Sequence, residues 1–154
     1  MSLREEAKDS RFEAIKESSD DIRRTTEIIN RLGDRYKILT GVDNLAFEAL
    51  SVGAVGWVAG LVCAFPKETV AIYRLIRDGR SAEALAIYRW FRPLLDLDVS
   101  RYLVQNIKLA EVHAIGSNDR VRAPRLPLFG AEKARVEAII AAALATRPTL
   151  PALS

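Results

Sequence analysis

The chain has 154 residues, enough for one domain with a substantial core. Its apolar fraction of 49% and its charged fraction of 28% are ordinary globular values, which exclude a disordered or collagen-like chain. The net charge of +3 comes from 23 cationic residues scattered among 20 acidic ones, so the composition predicts no nucleic-acid partner.

Cysteine, histidine and apolar runs exclude further classes. The single cysteine, Cys63, leaves no intramolecular disulfide and suits a reducing compartment. Because the sequence has only one cysteine and one histidine, no zinc or other metal site is expected. The charged N-terminus lacks a signal-peptide core, and the longest apolar stretch, residues 49–66, is interrupted by three glycines. We therefore predict a cytoplasmic protein with no membrane contact.

The first half of the chain repeats a short strand followed by a helix. The apolar run that begins at Phe12 predicts a strand closing at Lys16, and Ser19, Asp20 and Asp21 offer caps for the next helix. Two more units follow at similar spacing, with Asp43 or Asn44 as candidate cap of the second helix. The predicted strands are 12–16, 36–40 and 56–60, and the predicted helices end near Leu32, Val52 and Asp78.

This alternation predicts an α/β fold with parallel strands and right-handed crossovers. Strands covered by helices on both sides are apolar on both faces, and we expect that here. Residues 3–8 read as the end of a charged helix with no strand before it. Three parallel strands cannot close a barrel, so we expect the chain to be part of a larger fold.

After Gly79 the pattern predicts helices only. Apolar positions at helical spacing predict one helix from Ser81 to Leu95 and another that ends at Gly116. An extended, proline-containing connection follows, and a last helix opens at Gly130 before a tail that we expect to fray. We therefore divide the chain into a partial barrel, residues 1–79, and a helical extension, residues 80–154.

Lys16 is the most informative residue, because a lysine that closes a strand is where a (β/α)-barrel enzyme places a Schiff-base amine. From spacing alone, a solvated strand-end lysine is the more ordinary interpretation.

Four segments carry a resemblance that changes this balance. Residues 12–18 (FEAIKES), 39–44 (LTGVDN), 53–58 (GAVGWV) and 125–128 (RLPL) are similar to the dihydrodipicolinate synthase and N-acetylneuraminate lyase family. The resemblance covers nearly the whole chain, from about Phe12 to Leu144. It implies the C-terminal part of a (β/α)8 TIM barrel, strands six to eight, followed by a helical extension.

The family's pattern implies a site built from three residues of this chain. Lys16 would be the catalytic Schiff-base lysine, Gly41 would sit against the bound 2-oxo acid, and Val58 would offer its backbone carbonyl near the reacting end. The reaction needs a neutral amine, and burial at the barrel mouth favours that form of a lysine. No cofactor and no metal are implied.

The resemblance also implies what lies outside this chain. Strands one to five would carry the proton-shuttling tyrosine and the hydroxyl residues that hold the substrate carboxylate. We therefore expect the C-terminal portion of a class I lyase or aldolase acting on pyruvate or a related 2-oxo acid, inactive by itself.

Two alternatives stay open. One is a deaminase or dehydratase of a hydroxylated pyrroline carboxylate or a sugar acid in the same family. The other is a non-catalytic half-barrel that forms a homo-oligomer or pairs with an N-terminal half encoded elsewhere.

Other polar residues have simpler explanations. Glu17 and Ser18 follow a strand end and could contact the site, but helix-entry polar groups are the more ordinary interpretation. Helix capping explains Asp43 and Asn44 as well as substrate contact does. The remaining candidates, all expected in packing or surface roles, are Cys63 as a buried thiol, His113 near a helix end, Trp57 and Trp90.

Overall fold

The computed structural model describes residues 9–153, which contain three strands and six α-helices. The predicted helix end at residues 3–8 lies outside this part of the chain. The strands are β1 (Ala14–Glu17), β2 (Lys37–Thr40) and β3 (Gly56–Trp57). The helices are α1 (Arg23–Leu32), α2 (Ala46–Ser51), α3 (Pro66–Arg77), α4 (Ser81–Asp98), α5 (Leu103–Ile115) and α6 (Gly130–Ala145).

The three strands form one parallel sheet in the order β1-β2-β3, which confirms the predicted α/β fold. Lys16 pairs with Leu39, and Thr40 pairs with both Glu17 and Trp57. The predicted third strand, 56–60, is too long. β2 ends at Thr40, which lies opposite Trp57. The Val58 amide donates to the Thr40 carbonyl at 2.9 Å, and β2 has no later residue with which Ala59 and Gly60 could pair.

The expectation that every strand is apolar on both faces is wrong for β1. Ala14 and Lys16 are exposed, whereas Ile15 and Glu17 are half-buried. In β2, by contrast, Ile38 and Thr40 are only 3% exposed. These two residues share one face of β2, whereas Lys37 on the other face is exposed and Leu39 is half-buried, so β2 is fully covered on one face only. In β1 the face of Ala14 and Lys16 is open.

The chain divides into two compact units, one ending at Ala59 and the other beginning at Gly60. The first holds the sheet with α1 and α2. Buried apolar side chains come from both helices and from the central strand, among them Ile28 of α1, Ile38 of β2, and Ala46, Ala49 and Leu50 of α2. The division that we predicted at Gly79 stays a prediction.

The second unit is helical, from α3 to α6, and its part after Gly79, α4 to α6, is all-helical as predicted. The rings of Phe65 and Phe91 meet edge to face with their centroids 5.5 Å apart. Around them lie side chains that are fully or almost fully buried: Leu61, Ile72, Leu75, Leu94, Leu95, Val136 and Ile140. Such a core is stabilised mainly by the removal of apolar area from water.

The predicted helix caps are wrong in both helices of the first unit. Within the described residues, α1 follows Ile22 with no side-chain cap, and the Asp21 carboxylate instead accepts the Arg23 amide at 3.1 Å. A 3₁₀ turn, Asp43–Leu45, precedes α2. Asp43 is fully buried and accepts a hydrogen bond from Trp57 Nε1 at 2.9 Å, so it ties the exit of β2 to β3.

Two further expectations fail in the second unit. Cys63, the last residue of a short 3₁₀ turn that begins at Leu61, is exposed rather than buried. As far as residue 153, the tail after α6 is held by two contacts and is not frayed. Arg147 forms an ion pair with Glu68 at 2.6 Å, and the Ala152 carbonyl accepts a hydrogen bond from Arg80 at 2.7 Å.

Candidate active site

The three predicted site residues lie together at the carboxyl edge of the sheet. Lys16 is the third residue of β1, Gly41 follows β2 directly, and Val58 follows β3 directly. The Gly41 amide donates to the Glu17 carbonyl at 2.8 Å, which fixes the exit of β2 beside the end of β1. In parallel α/β folds this edge is where ligands bind, because the strand ends and the loops after them converge there.

Gly41 leaves room for the lysine side chain. A Cβ placed at Gly41 would overlap Lys16 Cε and Ser18 Oγ, and it would lie 2.9 Å from Lys16 Cγ. The stem of Lys16 therefore runs directly over the Gly41 backbone. Any residue with a side chain at this position would have to displace the lysine, the serine or both.

The surroundings of Lys16 differ from the expectation in one respect. The resemblance implies burial of the catalytic amine, but Lys16 is exposed in this chain. Its backbone is held by pairing with β2, and its stem by the Gly41 contact. The described residues thus fix the position of the side chain without covering it.

The structure also brings Ser18 to this point, although a role for it in the site stays a prediction. Its hydroxyl lies against the same Gly41 position as the Lys16 stem. The signal was available in the sequence, since side chains two residues apart along an extended segment point to the same side. Glu17 fits the simpler interpretation, because its carboxylate accepts the Ser19 amide at 2.9 Å and serves the local turn.

The backbone around Val58 is ordered by two contacts. Its amide donates to the Thr40 carbonyl, and the preceding Trp57 side chain donates to buried Asp43. The Val58 side chain is 43% exposed and makes no part of a tight core. The sheet thus positions the peptide here rather than the side chain, and the role of the Val58 carbonyl stays a prediction.

Residues 9–153 contain no group of three His, Cys, Asp or Glu side chains placed to hold a metal ion. Within the same residues, no helix has both the length and the apolar character needed to cross a bilayer.

A parallel sheet whose strands alternate with helices, with the candidate residues at its carboxyl edge, is the arrangement of α/β folds that bind ligands at their strand ends. The dihydrodipicolinate synthetase family model matches residues 6–143, so the chain belongs to that family. Its members are lyases built on the TIM barrel.

Individual relatives agree with this assignment. The chain is 28% identical over 130 residues to the 4-hydroxy-tetrahydrodipicolinate synthase of Geotalea uraniireducens, covering 82% of the chain and 44% of that protein. It is 33% identical over 121 residues to the enzyme of the same name from Sorangium cellulosum, covering 79% and 39%. The solved structure of the synthase from Methylacidiphilum fumariolicum SolV matches with a TM-score of 0.78 and 29% identity, over 93% of this chain and 49% of that one. The chain thus spans less than half the length of these relatives.

Proposed function

We propose that the chain is the C-terminal portion of a Schiff-base lyase in which β1, β2 and β3 correspond to barrel strands six, seven and eight. Lys16 is the amine that forms the covalent intermediate. The observation that carries this proposal is the contact of the Lys16 stem with Gly41, which holds a primary amine at the ligand-binding edge of the sheet.

The chemistry follows from an amine in that place. In its neutral form, Lys16 Nζ attacks the carbonyl carbon of a 2-oxo acid; the carbonyl oxygen takes up the two amine protons and leaves as water, and the resulting imine takes one proton from solvent to become an iminium ion. The iminium then accepts an electron pair when the neighbouring carbon loses a proton, and the product is an enamine. Gly41 lies against the bound acid, and the Val58 carbonyl lies near its reacting end.

Pyruvate, or a related 2-oxo acid, is the substrate that we propose. Support comes from the relatives named 4-hydroxy-tetrahydrodipicolinate synthase and from the solved structure with that name. Condensation, cleavage, and dehydration or deamination all pass through the same lysine adduct, so this half of the site suits each of them.

Reductive trapping tests the role of Lys16. We expect borohydride reduction in the presence of pyruvate to add one pyruvate-sized mass to the full chain, located at Lys16 by peptide mapping. Lys16→Ala should lose the adduct completely. Lys37→Ala is the matched control, because this exposed lysine begins β2, at the opposite edge of the sheet, and its removal should leave the adduct intact.

An adduct that maps to other lysines, or that survives in Lys16→Ala, would refute the assignment of Lys16. If the wild-type chain gives no adduct alone but gives one with a supplied N-terminal half, Lys16 is correct and the pocket needs the other strands. If the completed enzyme gives no adduct with pyruvate or any other 2-oxo acid, the proposed lyase activity is wrong.

We further propose that turnover requires strands one to five, supplied by an N-terminal half of the barrel. The open face of β1 and the exposed Lys16 support this, since an enzyme of this class needs its amine enclosed. Purified alone, the 154-residue chain should show no steady turnover of pyruvate and an aldehyde, measured by a coupled assay.

Co-expression with the first half of a family member, ending before its strand six, should restore turnover and give a stable complex in size-exclusion chromatography. Turnover by the isolated chain at a rate typical of the family would contradict this prediction. Association without turnover would favour the non-catalytic alternative. Homo-oligomerisation and a cytoplasmic location stay predictions.

A further inference from the structure

The second unit contains a cavity of about 730 Å³ between the start of α5 and the extended segment that leads into α6. Its apolar wall is formed by that segment, where Leu126 is 71% exposed and Phe129 is 78% exposed. Gln105, at the first turns of α5, donates a hydrogen bond to the Leu126 carbonyl at 3.2 Å. The buried Gln105 side chain, 9% exposed, thus holds the wall in place, whereas the apolar groups of the wall face water.

The polar side chains of the cavity are unequal in charge. Two arginines, Arg101 and Arg125, line it together with one acid, Glu132. Glu132 forms hydrogen bonds of 2.7 and 3.1 Å with Arg135, which lies outside the lining. The Arg135 guanidinium lowers the pKa of Glu132 through these bonds, so this acid stays ionised and paired.

The two arginines are less engaged than Glu132, although the positive charge of Arg101 also attracts that carboxylate and helps to lower its pKa. The Arg101 guanidinium lies 4.6 Å from the centre of the Tyr102 ring, a contact that orients it without satisfying its N–H groups. Within the described residues, the Arg125 guanidinium makes neither a hydrogen bond nor an ion pair. The cavity therefore combines an apolar wall with a net positive charge.

We infer that this cavity binds an organic anion with an apolar body, such as a medium-chain carboxylate. The carboxylate is held by Arg125 and Arg101, because a planar guanidinium donates two parallel hydrogen bonds to such a group. The apolar body covers Leu126 and Phe129 and removes them from water. This site uses residues of the second unit only, and it does not depend on the role proposed for Lys16.

Three probes separate charge from apolar contact. Titrations of the full chain, followed by calorimetry and amide chemical shifts, would use octanoate, octyltrimethylammonium and acetate. We expect octanoate to bind with a dissociation constant below about 1 mM. The cation with the same tail should bind at least roughly tenfold more weakly, because it lacks the charge-assisted hydrogen bonds. Acetate should show no measurable binding, because it lacks the apolar body.

Variants locate the site. Arg125→Ala should weaken octanoate binding by roughly tenfold, as expected for loss of a charged hydrogen bond. Arg122→Ala is the matched control, since it removes the same charge three residues earlier but lies outside the cavity lining. Leu126→Ser should also weaken binding. Both test positions are exposed in an extended segment, so unchanged melting curves should show that the fold is kept.

Several results would overturn the inference. Equal affinities for octanoate and octyltrimethylammonium would show that the charge plays no part. If Arg125→Ala and Arg122→Ala lose equal affinity for octanoate, the anion is attracted by the general positive charge of the surface and not by a defined site. If octanoate fails to bind and Leu126→Ser instead dissolves a dimer of the chain, the groove is a contact between copies and not a ligand site.

Discussion

Replacing Gly41 with alanine should slow formation of the Lys16 adduct by roughly a hundredfold while the protein stays folded. The new Cβ would occupy the space of Lys16 Cε and Ser18 Oγ. Both are ends of flexible side chains, so they can move aside, and the cost in stability should stay at about 1 kcal/mol. The amine, however, moves by an ångström or more, and misplacement on that scale costs about two orders of magnitude in rate.

The measurement is the rate of borohydride-trapped adduct formation, read by intact mass at fixed pyruvate, in the chain or in its complex with the N-terminal half. Gly56→Ala is the matched control on the neighbouring strand. Its Cβ would meet Leu39 Cδ2 at 2.7 Å, so the packing disturbance is similar, but Lys16 is not touched. A similar loss in both variants would mean that general disturbance of the sheet, rather than displacement of the lysine, governs reactivity.

The arrangement at this edge shows how far local sequence patterns reach. Alternating strands and helices predict the parallel sheet, because βαβ units have few alternatives. The placement of Lys16 beside Gly41 then follows from strand order alone. The close approach of the Lys16 side chain to Gly41 could be recognised only from the strand register. In that register Lys16 pairs with Leu39, so the lysine side chain lies level with Gly41, two residues after Leu39.

Other features were decided by partners far away in sequence. Asp43 is a residue type that commonly caps helices, and a cap accepts a hydrogen bond from a backbone amide. Here the Asp43 carboxylate is buried and accepts a hydrogen bond from Trp57 Nε1 instead. The third strand stops early because β2 ends, and nothing within 56–60 signals that. Local propensity cannot contain such information, since the competing partner lies on another strand.

The tail after α6 is the clearest case of a wrong expectation with an energetic reason. Its composition suggests fraying, but it carries Arg147, the partner of a carboxylate that is only 2% exposed. A buried acid needs a counter-charge, and Glu68 finds it 79 residues further along the chain. The tail is thereby fixed to the start of α3.

Arg147→Ala should lower the free energy of unfolding by about 3 kcal/mol. This value lies at the lower end of the range for breaking a buried ion pair, because the Arg147 side chain remains 35% exposed and water reaches it. Glu68 would be left with neither carboxylate oxygen paired within the described residues, since Oε2 already lacks a hydrogen-bond partner there. The variant also removes the guanidinium, whose carbon lies 5.4 Å from the centre of the Phe65 ring.

Urea unfolding measures this change. In a Trp57→Phe background the emission reports on Trp90 of the second unit, whose Nε1 donates to the Ala143 carbonyl at 3.1 Å. Arg92→Ala is the matched control, because the Arg92–Asp96 pair of 2.9 Å has both side chains more than 40% exposed. Arg92→Ala should lower the free energy of unfolding by less than about 1 kcal/mol, as is usual for surface ion pairs.

A double-mutant cycle isolates the ion pair from the lost side-chain packing. Glu68→Met with Arg147→Met keeps the volume of both groups and leaves no buried charge, so the double variant should recover most of the stability that Arg147→Met alone loses. The physical reason is that Arg147→Met alone leaves the buried Glu68 carboxylate without a counter-charge, whereas the double change removes that carboxylate. If Arg147→Ala and Arg92→Ala cost the same, or if the two methionine changes simply add, the tail is held by its apolar contacts and not by Glu68.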